Sequence, residues 1–161
     1  MQLRKGSDLE SDIFKQLQEK HEFWLKGYRS LTRYIANRDH SEKELQIKLS
    51  QKYEPELVSD LIQFAHDSGW MPKPEDMARR TAQRLKDKGK GRVYIQRYLN
   101  EKGLPSVEID SEEELQRARA VAAIKFGSWS EKPYTEKQKI AQFLMRRGFE
   151  PSVCNSVALN S

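Results

Sequence analysis

Apolar residues recur at helical intervals along most of the chain. Leu9, Ile13, Leu17, Trp24, Tyr28, Leu31 and Ile35 stand three, four or seven residues apart, predicting one long helix or two consecutive ones, with Gly27 as a candidate break. Ser7 with Glu10 offers a capping box at its start. In "RDHSEKEL" (38–45) a helix ends, the chain turns and Ser41 with Glu44 sets up a second capping box. The helix that follows, to about Lys52, carries Leu45 and Leu49 on one face. Pro55, Pro74 and Pro151 each occupy a first helical position, where a missing N–H costs nothing. Leu57, Val58, Leu61, Ile62 and Ala65 follow the first of these, and Met77, Ala78, Thr81, Ala82 and Leu85 the second. Val153, Cys154, Val157 and Ala158 follow the third. Between them lie a helix from Arg92 with Tyr94, Ile95, Tyr98 and Leu99, and one with Leu115, Ala118, Ala122 and Phe126 started by Ser111 and Glu114. A further one, with Ile140, Ala141, Phe143 and Leu144, has Thr135 and Gln138 as its box. "LPSVEID" (104–110) fits either a short helix or a loop. No stretch reads as a strand, so the predicted fold class is all-α.

Three stretches, "ELQIKLSQK-YEPELV", "YIQRYLNEKGLPSVEI" and "KIAQFLMRRGFEPSVC", align with one gap. Leu45, Ile95 and Ile140 correspond, as do Leu49, Leu99 and Leu144, then Lys52, Lys102 and Arg147, with Tyr53, Leu104 and Phe149 closing each unit. A period of roughly 45 to 50 residues points to helical repeats that bury their faces on one another.

Composition supports that picture. With 37% hydrophobic and 33% charged residues, the chain is lean for a thick core yet too apolar for disorder, and suits an elongated helical array. Charge then singles out one region. Nine cations lie between Met77 and Leu104 against only Asp87 and Glu101, so this stretch carries +7 while the rest of the +5 chain sums to −2. An electropositive segment of this kind favours a polyanion or an acidic protein surface. The plainer alternative is a solvated helix face. Tyr94 and Tyr98, interleaved with the cations, are the residue type that stacks on bases, although they share a face with Ile95 and Leu99 and so read as core.

Reactive chemistry is missing. His21, His40 and His66 have no metal-ligand spacing and read as surface or capping residues. Cys154, the single cysteine, sits on an apolar face as packing; it excludes an internal disulfide and suits a reducing cytoplasm. "KGKG" lacks the strand and the Lys-Ser/Thr of a phosphate loop, and the acids at 112–114 are explained by a helix N-terminus. No catalytic residue, metal or cofactor is expected, and no apolar run long enough to span a membrane is present.

Three ordered blocks, "RDHSEKELQIKL" followed by "GW", "KDKGKGRVYIQRYLNEKGL", and "EKQKIAQFLMRRGFEPSVC", resemble the bacterial RecX family of RecA regulators over roughly residues 29 to 159. Arg38, Asp39, His40, Ser41, Glu44, Leu45 and Leu49 match the first block. Lys88, Gly89, Ile95, Leu99, Lys102 and Gly103 match the second, and Lys139, Leu144, Gly148 and Phe149 the third. The resemblance implies nine helices in three tandem three-helix units, forming a curved, elongated molecule. It also implies a non-enzymatic protein that docks in the groove of the RecA–DNA filament and restrains recombinase, ATPase and coprotease activities in DNA repair and the SOS response. The alternative is a helical nucleic-acid-binding regulator acting without RecA. Partners expected on this basis are the RecA filament and single- and double-stranded DNA, with the protein a cytoplasmic monomer. The expected contact set is Arg38, Arg79, Arg80, Arg84, Lys86, Lys88, Lys90, Arg92, Arg97, Lys102, Arg146 and Arg147. The expected division is an N-terminal helical extension (1–28) and repeats over 29–71, 72–110 and 111–161. Two departures stand out. Acidic residues that commonly follow the Gly-aromatic pair are replaced by Met71, Pro72 and Lys73, so Glu75 and Asp76 are expected to take over the cap, and the 104–111 stretch is short enough to curtail the middle unit's last helix.

Overall fold

A computed structural model describes the backbone of residues 6–160 and the side chains from Glu10 onward. The described residues form eight α-helices and no strand. They fall into two compact units that meet between Pro72 and Lys73.

The first unit holds α1 (Gly6–Asn37), α2 (Glu42–Ser50) and α3 (Pro55–Asp67). The Ser7–Glu10 box and the Leu9 side chain lie outside the described side chains. Gly27 does not break α1; an added Cβ there would lie 2.6 Å from Leu61 Cδ1, so this glycine lets α3 approach closely. Leu31, Leu45, Leu49 and Leu61 are fully buried, each contributing roughly 1.5–3 kcal/mol of hydrophobic stabilisation. Trp24 stacks on Tyr28 with ring centres 5.3 Å apart, and Phe64 meets both edge-on. The apolar stripe of α1 continues towards its N-terminus, but Ile13 and Leu17 are exposed there. The capping box of α2 forms as the sequence predicts: Glu44 N–H donates to Ser41 Oγ at 3.2 Å and Ser41 N–H to Glu44 Oε2 at 2.9 Å.

The second unit holds α4 (Pro74–Asp87), α5 (Arg92–Glu101), α6 (Ser111–Phe126), α7 (Tyr134–Arg146) and α8 (Pro151–Leu159). Ala78, Ala82, Leu85, Ile95 and Leu99 form the α4–α5 core, closed by Ile109 from the segment after α5. That segment, 104–110, is not helical. It is tied down by side chains, Gln96 Nε2 donating to Val107 O at 2.8 Å and Arg92 Nη2 to Ile109 O. The ninth helix implied by the resemblance is therefore absent from the middle of the chain among the described residues. In the last three helices Ile140, Leu144, Cys154 and Val157 are buried, and the Trp129 indole donates to Val157 O at 3.1 Å. The aligned positions Leu45, Ile95 and Ile140 are all buried, as are Leu49, Leu99 and Leu144, which fixes the phase of the repeats.

Three predicted caps shift. Asp110, not Ser111, caps α6, accepting from Glu113 N–H at 2.9 Å, because the extended 104–110 segment delivers Asp110 in β conformation. The Thr135–Gln138 box does not form: Pro133 O already accepts from the N–H groups of Glu136 and Lys137, so α7 starts two residues earlier and Thr135 lies inside it. At α4 the cap position is Lys73, with no side-chain bond, so Glu75 and Asp76 line the first turn without capping it.

The α5 start and the α7–α8 turn meet backbone to backbone. Gly91 N–H donates to Arg147 O and Val93 N–H to Gly148 O, both at 2.9 Å. A Cβ on Gly91 would lie 2.3 Å from Phe149 N, and one on Gly148 would lie 2.3 Å from Tyr94 Cβ. Beside this joint lies Glu114, fully buried, accepting from Arg92 N–H at 2.7 Å with Arg92 Nε 3.3 Å from its second oxygen. The acids at 112–114 thus divide: Glu112 and Glu113 face outward, and Glu114 belongs to the interior.

Candidate functional site

Helix α4 separates its two kinds of residue cleanly. Met77, Ala78, Ala82 and Leu85 are buried, leaving Arg79, Arg80 and Arg84 exposed on the outer side, with Lys88 exposed just beyond the helix end. Arg80, Arg84 and Lys88 recur every four residues and so rise along one side. Arg79 is paired with Asp76 one turn earlier. Past the turn the pattern changes, and the cations rest on rings. Lys90 Nζ lies 4.6 Å from the centre of the Tyr94 ring, Tyr94 stacks on Tyr98 at 6.4 Å, and Lys102 Nζ lies 5.6 Å from the Tyr98 ring. Arg97 adds a second cation at 5.6 Å from Tyr94 and lies 4.0 Å from Glu101. Tyr94 and Tyr98 are half-buried, packed against the α4–α5 core. The result is a ladder of cations and aromatics at four-residue spacing, in which the rings are covered by one another and by the cations and the positive charge is what remains to attract phosphates.

Other members of the expected set are engaged inside the fold. Arg92 holds Glu114, reaches Glu150 at 3.4 Å and donates to Ile109 O and Ser111 Oγ. The Lys86 side chain, largely buried, pairs with Glu113 at 2.8 Å. Arg147 donates to Lys88 O at 3.1 Å and covers Phe143, whereas Arg146 is exposed. In the first unit, exposed Arg38 pairs with Glu44 Oε1 at 2.9 Å and donates to Asp39 O at 2.8 Å, which makes it part of the α2 capping corner.

That corner also holds His40, which the sequence placed at the surface or in a cap and the structure buries. Nδ1 lies 2.9 Å from Arg38 O and must donate to it, so Nε2 accepts from Lys48 Nζ at 2.8 Å. Burial holds the ring below the ordinary imidazole value of about 6.5; the bond to Arg38 O and the Glu44 charge oppose this, and the Arg38 and Lys48 charges reinforce it. The unfolded chain therefore takes up a proton first as pH falls. His40 contributes stability fully above about pH 6.5, and that contribution is lost as the pH falls towards the lowered folded value. Urea unfolding of the first unit should show a larger decline between pH 7.5 and 5.5 for the native chain than for His40→Gln. Equal declines would show that the ring takes up its proton alike in the folded and unfolded states.

Cys154 is a core thiol. Its Sγ donates to Phe149 O at 3.5 Å, and burial pushes its pKa up to about 11. That is the opposite of what a nucleophile needs. Among the described residues no cluster of His, Cys, Asp and Glu suits a metal, and no helix is long and apolar enough to cross a membrane.

The family model described as RecX, third three-helix domain, matches residues 112–157. The regulatory protein RecX of Cronobacter sakazakii is 31% identical over 137 residues, covering 73% of this chain and 81% of that protein. That of Escherichia coli K12 is 32% identical over the same length, covering 73% and 80%. The regulatory protein RecX of Oceanobacillus iheyensis is 27% identical over 96% of this chain, which spans 60% of that longer protein. The crystal structure of RecX from Lactobacillus salivarius superposes with a TM-score of 0.71 at 19% identity, covering 87% of this chain and 97% of that one. A second RecX crystal structure gives 0.69 at 20% identity, covering 86% and 74%. With sequence relatives of that identity and coverage, and a fold shared with solved RecX structures, the chain belongs to the RecX family of regulatory proteins.

Proposed function

We propose that this chain binds the RecA–DNA filament and restrains its recombinase, ATP-hydrolysing and coprotease activities in DNA repair and the SOS response, without chemistry of its own. In this reading it acts as a cytoplasmic monomer built from an N-terminal extension (1–28) and repeats over 29–71, 72–110 and 111–161. The observation that carries the site assignment is the outward file of Arg80, Arg84 and Lys88, continued by the Lys90–Tyr94–Tyr98–Lys102 ladder. Phosphates of a filament-bound strand and acidic patches on RecA are both suitable counterparts for such a surface. Arg92 and Lys86 act in this reading as supports and do not themselves reach the partner, because their charges are met inside the fold.

The same cations support a second reading, direct binding of nucleic acid without RecA, since they can neutralise the phosphates of a strand without needing a protein partner. One double variant separates the two. Arg84→Glu with Lys88→Glu alters two exposed residues and should leave folding intact. It is expected to weaken inhibition of RecA-dependent ATP hydrolysis by about tenfold or more, because like charges would face one another. If phosphates are the counterpart, the slope of log affinity against log salt should also flatten by about 0.7 to 0.9 for each phosphate no longer neutralised. Naked-DNA binding that falls while a native effect on RecA was never present would favour the second reading. Unchanged inhibition and unchanged DNA affinity would reduce the surface to a solvated face.

A further inference from the structure

A concavity of about 370 Å³ opens between the end of α4 and the facing sides of α6 and α7, within the second unit. Its size is that of a site taking one large side chain or small ligand. Ala120, Val121 and Ile124 of α6 and Phe143 of α7 form an apolar lining. Ile124 is 88% exposed beside it, an aliphatic side chain with nothing of its own chain to cover it.

The rim is cationic. Lys86, Lys88, Arg117, Lys125 and Arg147 border the concavity against a single carboxylate, Asp87. Glu113, just outside, pairs with Lys86 at 2.8 Å and lies 3.9 Å from Arg117 Nε. Lys125 and Arg147 rest on the Phe143 ring, at 4.5 and 5.2 Å from its centre. Arg117 donates one bond, to Lys90 O, while its Nε and Nη2 are buried with no hydrogen-bond partner among the described residues. Burial lowers the Arg117 pKa, and the Glu114 and Glu113 charges oppose this.

We infer that this concavity receives an acidic peptide segment carrying one bulky apolar side chain, which enters the apolar lining while its carboxylates meet Lys88, Lys125 and Arg147, the rim cations that Glu113 does not already engage. The inference goes beyond the filament reading and does not depend on it. A nucleic acid fits less well. Its phosphates would satisfy the cations, but it brings no aliphatic surface to Val121 and Ile124. Lys125 and Arg147 lie over the Phe143 ring and Phe126 meets it edge-on, so no open ring face is left for a base. An acidic segment with a central Phe or Leu supplies both halves of the complement, in the manner of a side-chain anchor ringed by charge.

The test uses a fluorescent synthetic peptide of Asp and Glu residues with one central Phe, titrated with the full chain and read by anisotropy. Saturable binding that weakens with salt is expected, and replacing the peptide's Phe by Ser should weaken it about tenfold through reduced apolar burial. Ile124→Glu and Ala120→Glu, both at exposed positions, should each weaken it by about tenfold while circular dichroism and the melting temperature stay native. Neither residue is one of the cations of the proposed DNA- and RecA-binding surface, which shares only Lys88 with this rim, so inhibition of RecA should largely persist in both variants. Equal binding of the Phe and Ser peptides would overturn the inference, leaving generic charge attraction. So would native affinity in both glutamate variants. Displacement of the peptide by an oligothymidylate whose own binding the same variants abolish would assign the concavity to nucleic acid instead.

Discussion

Gly148→Ala is expected to destabilise the second unit by roughly 2–5 kcal/mol. Two costs add. The residue has φ +86°, a left-handed conformation that costs a residue with a Cβ about 1–2 kcal/mol. The new Cβ would also lie 2.3 Å from Tyr94 Cβ and 2.7 Å from Tyr94 N, forcing apart the α5 start and the α7–α8 turn, an overpacking cost of about 1–3 kcal/mol. Gly69 separates the two terms. It has φ +70° but nothing within 4 Å of an added Cβ, so Gly69→Ala should show only the smaller, conformational cost in the first unit. Urea unfolding followed by Trp129 fluorescence, with Trp24 and Trp70 replaced by Phe, reads the second unit for Gly148→Ala, and unfolding followed by Trp24 and Trp70 with Trp129 replaced by Phe reads the first unit for Gly69→Ala. A Gly148→Ala loss no larger than that of Gly69→Ala would mean that the joint yields without resistance.

Arg92→Met should cost about 3 kcal/mol in the same measurement. The substitution leaves Glu114 fully buried with its principal cation gone, the situation in which breaking an internal ion pair is most destabilising. The lower end of the usual range applies because the Arg92 side chain is 24% exposed and its other partners lie nearer solvent. Removing both charges should cost less: Arg92→Met with Glu114→Gln is expected to recover much of the missing stability, since the amide oxygen still accepts from the backbone N–H at position 92 and needs no counter-ion. A single Arg92→Met variant as stable as the native chain would show that Glu114 is held by something other than this guanidinium. The same experiment bears on the proposed function, because a change in any RecA assay of Arg92→Met would then need correction for the unfolded fraction.

The helices and their repeat phase were legible in the sequence because both rest on local pattern. Leu45, Ile95 and Ile140 announce themselves by spacing, and Pro55, Pro74 and Pro151 mark helix starts by chemistry that involves no distant residue. The residues that escaped depend on partners far along the chain. Glu114 looks like one of three acids at a helix start, and its interior role needs Arg92, which lies 22 positions away. One signal was available: Glu114, Ala118 and Ala122 follow one another at four-residue spacing, which places the acid on the buried side of α6. His40 was hidden differently, since its burial comes from the corner closing over it and from Lys48 one helix face away. Among the basic residues, composition could flag the stretch but could not distinguish outward Arg84 from inward Arg92, because that depends on where each falls relative to a core formed by other segments. The cap at Asp110 moved for a similar reason, its conformation being dictated by the non-helical segment that precedes it.

The buried cysteine gives this protein a clock of its own. With one thiol in the sequence, no exposed sulfhydryl competes for a thiol-reactive probe added to the folded chain. Alkylation therefore waits for the last helices to open, and its rate under native conditions, divided by that of the unfolded chain at the same pH, reports how often they are open. A partner that clamps the second unit would slow the count, and a loosened joint between the α5 start and the α7–α8 turn would hasten it, so one chemical label reads the breathing of this half of the molecule.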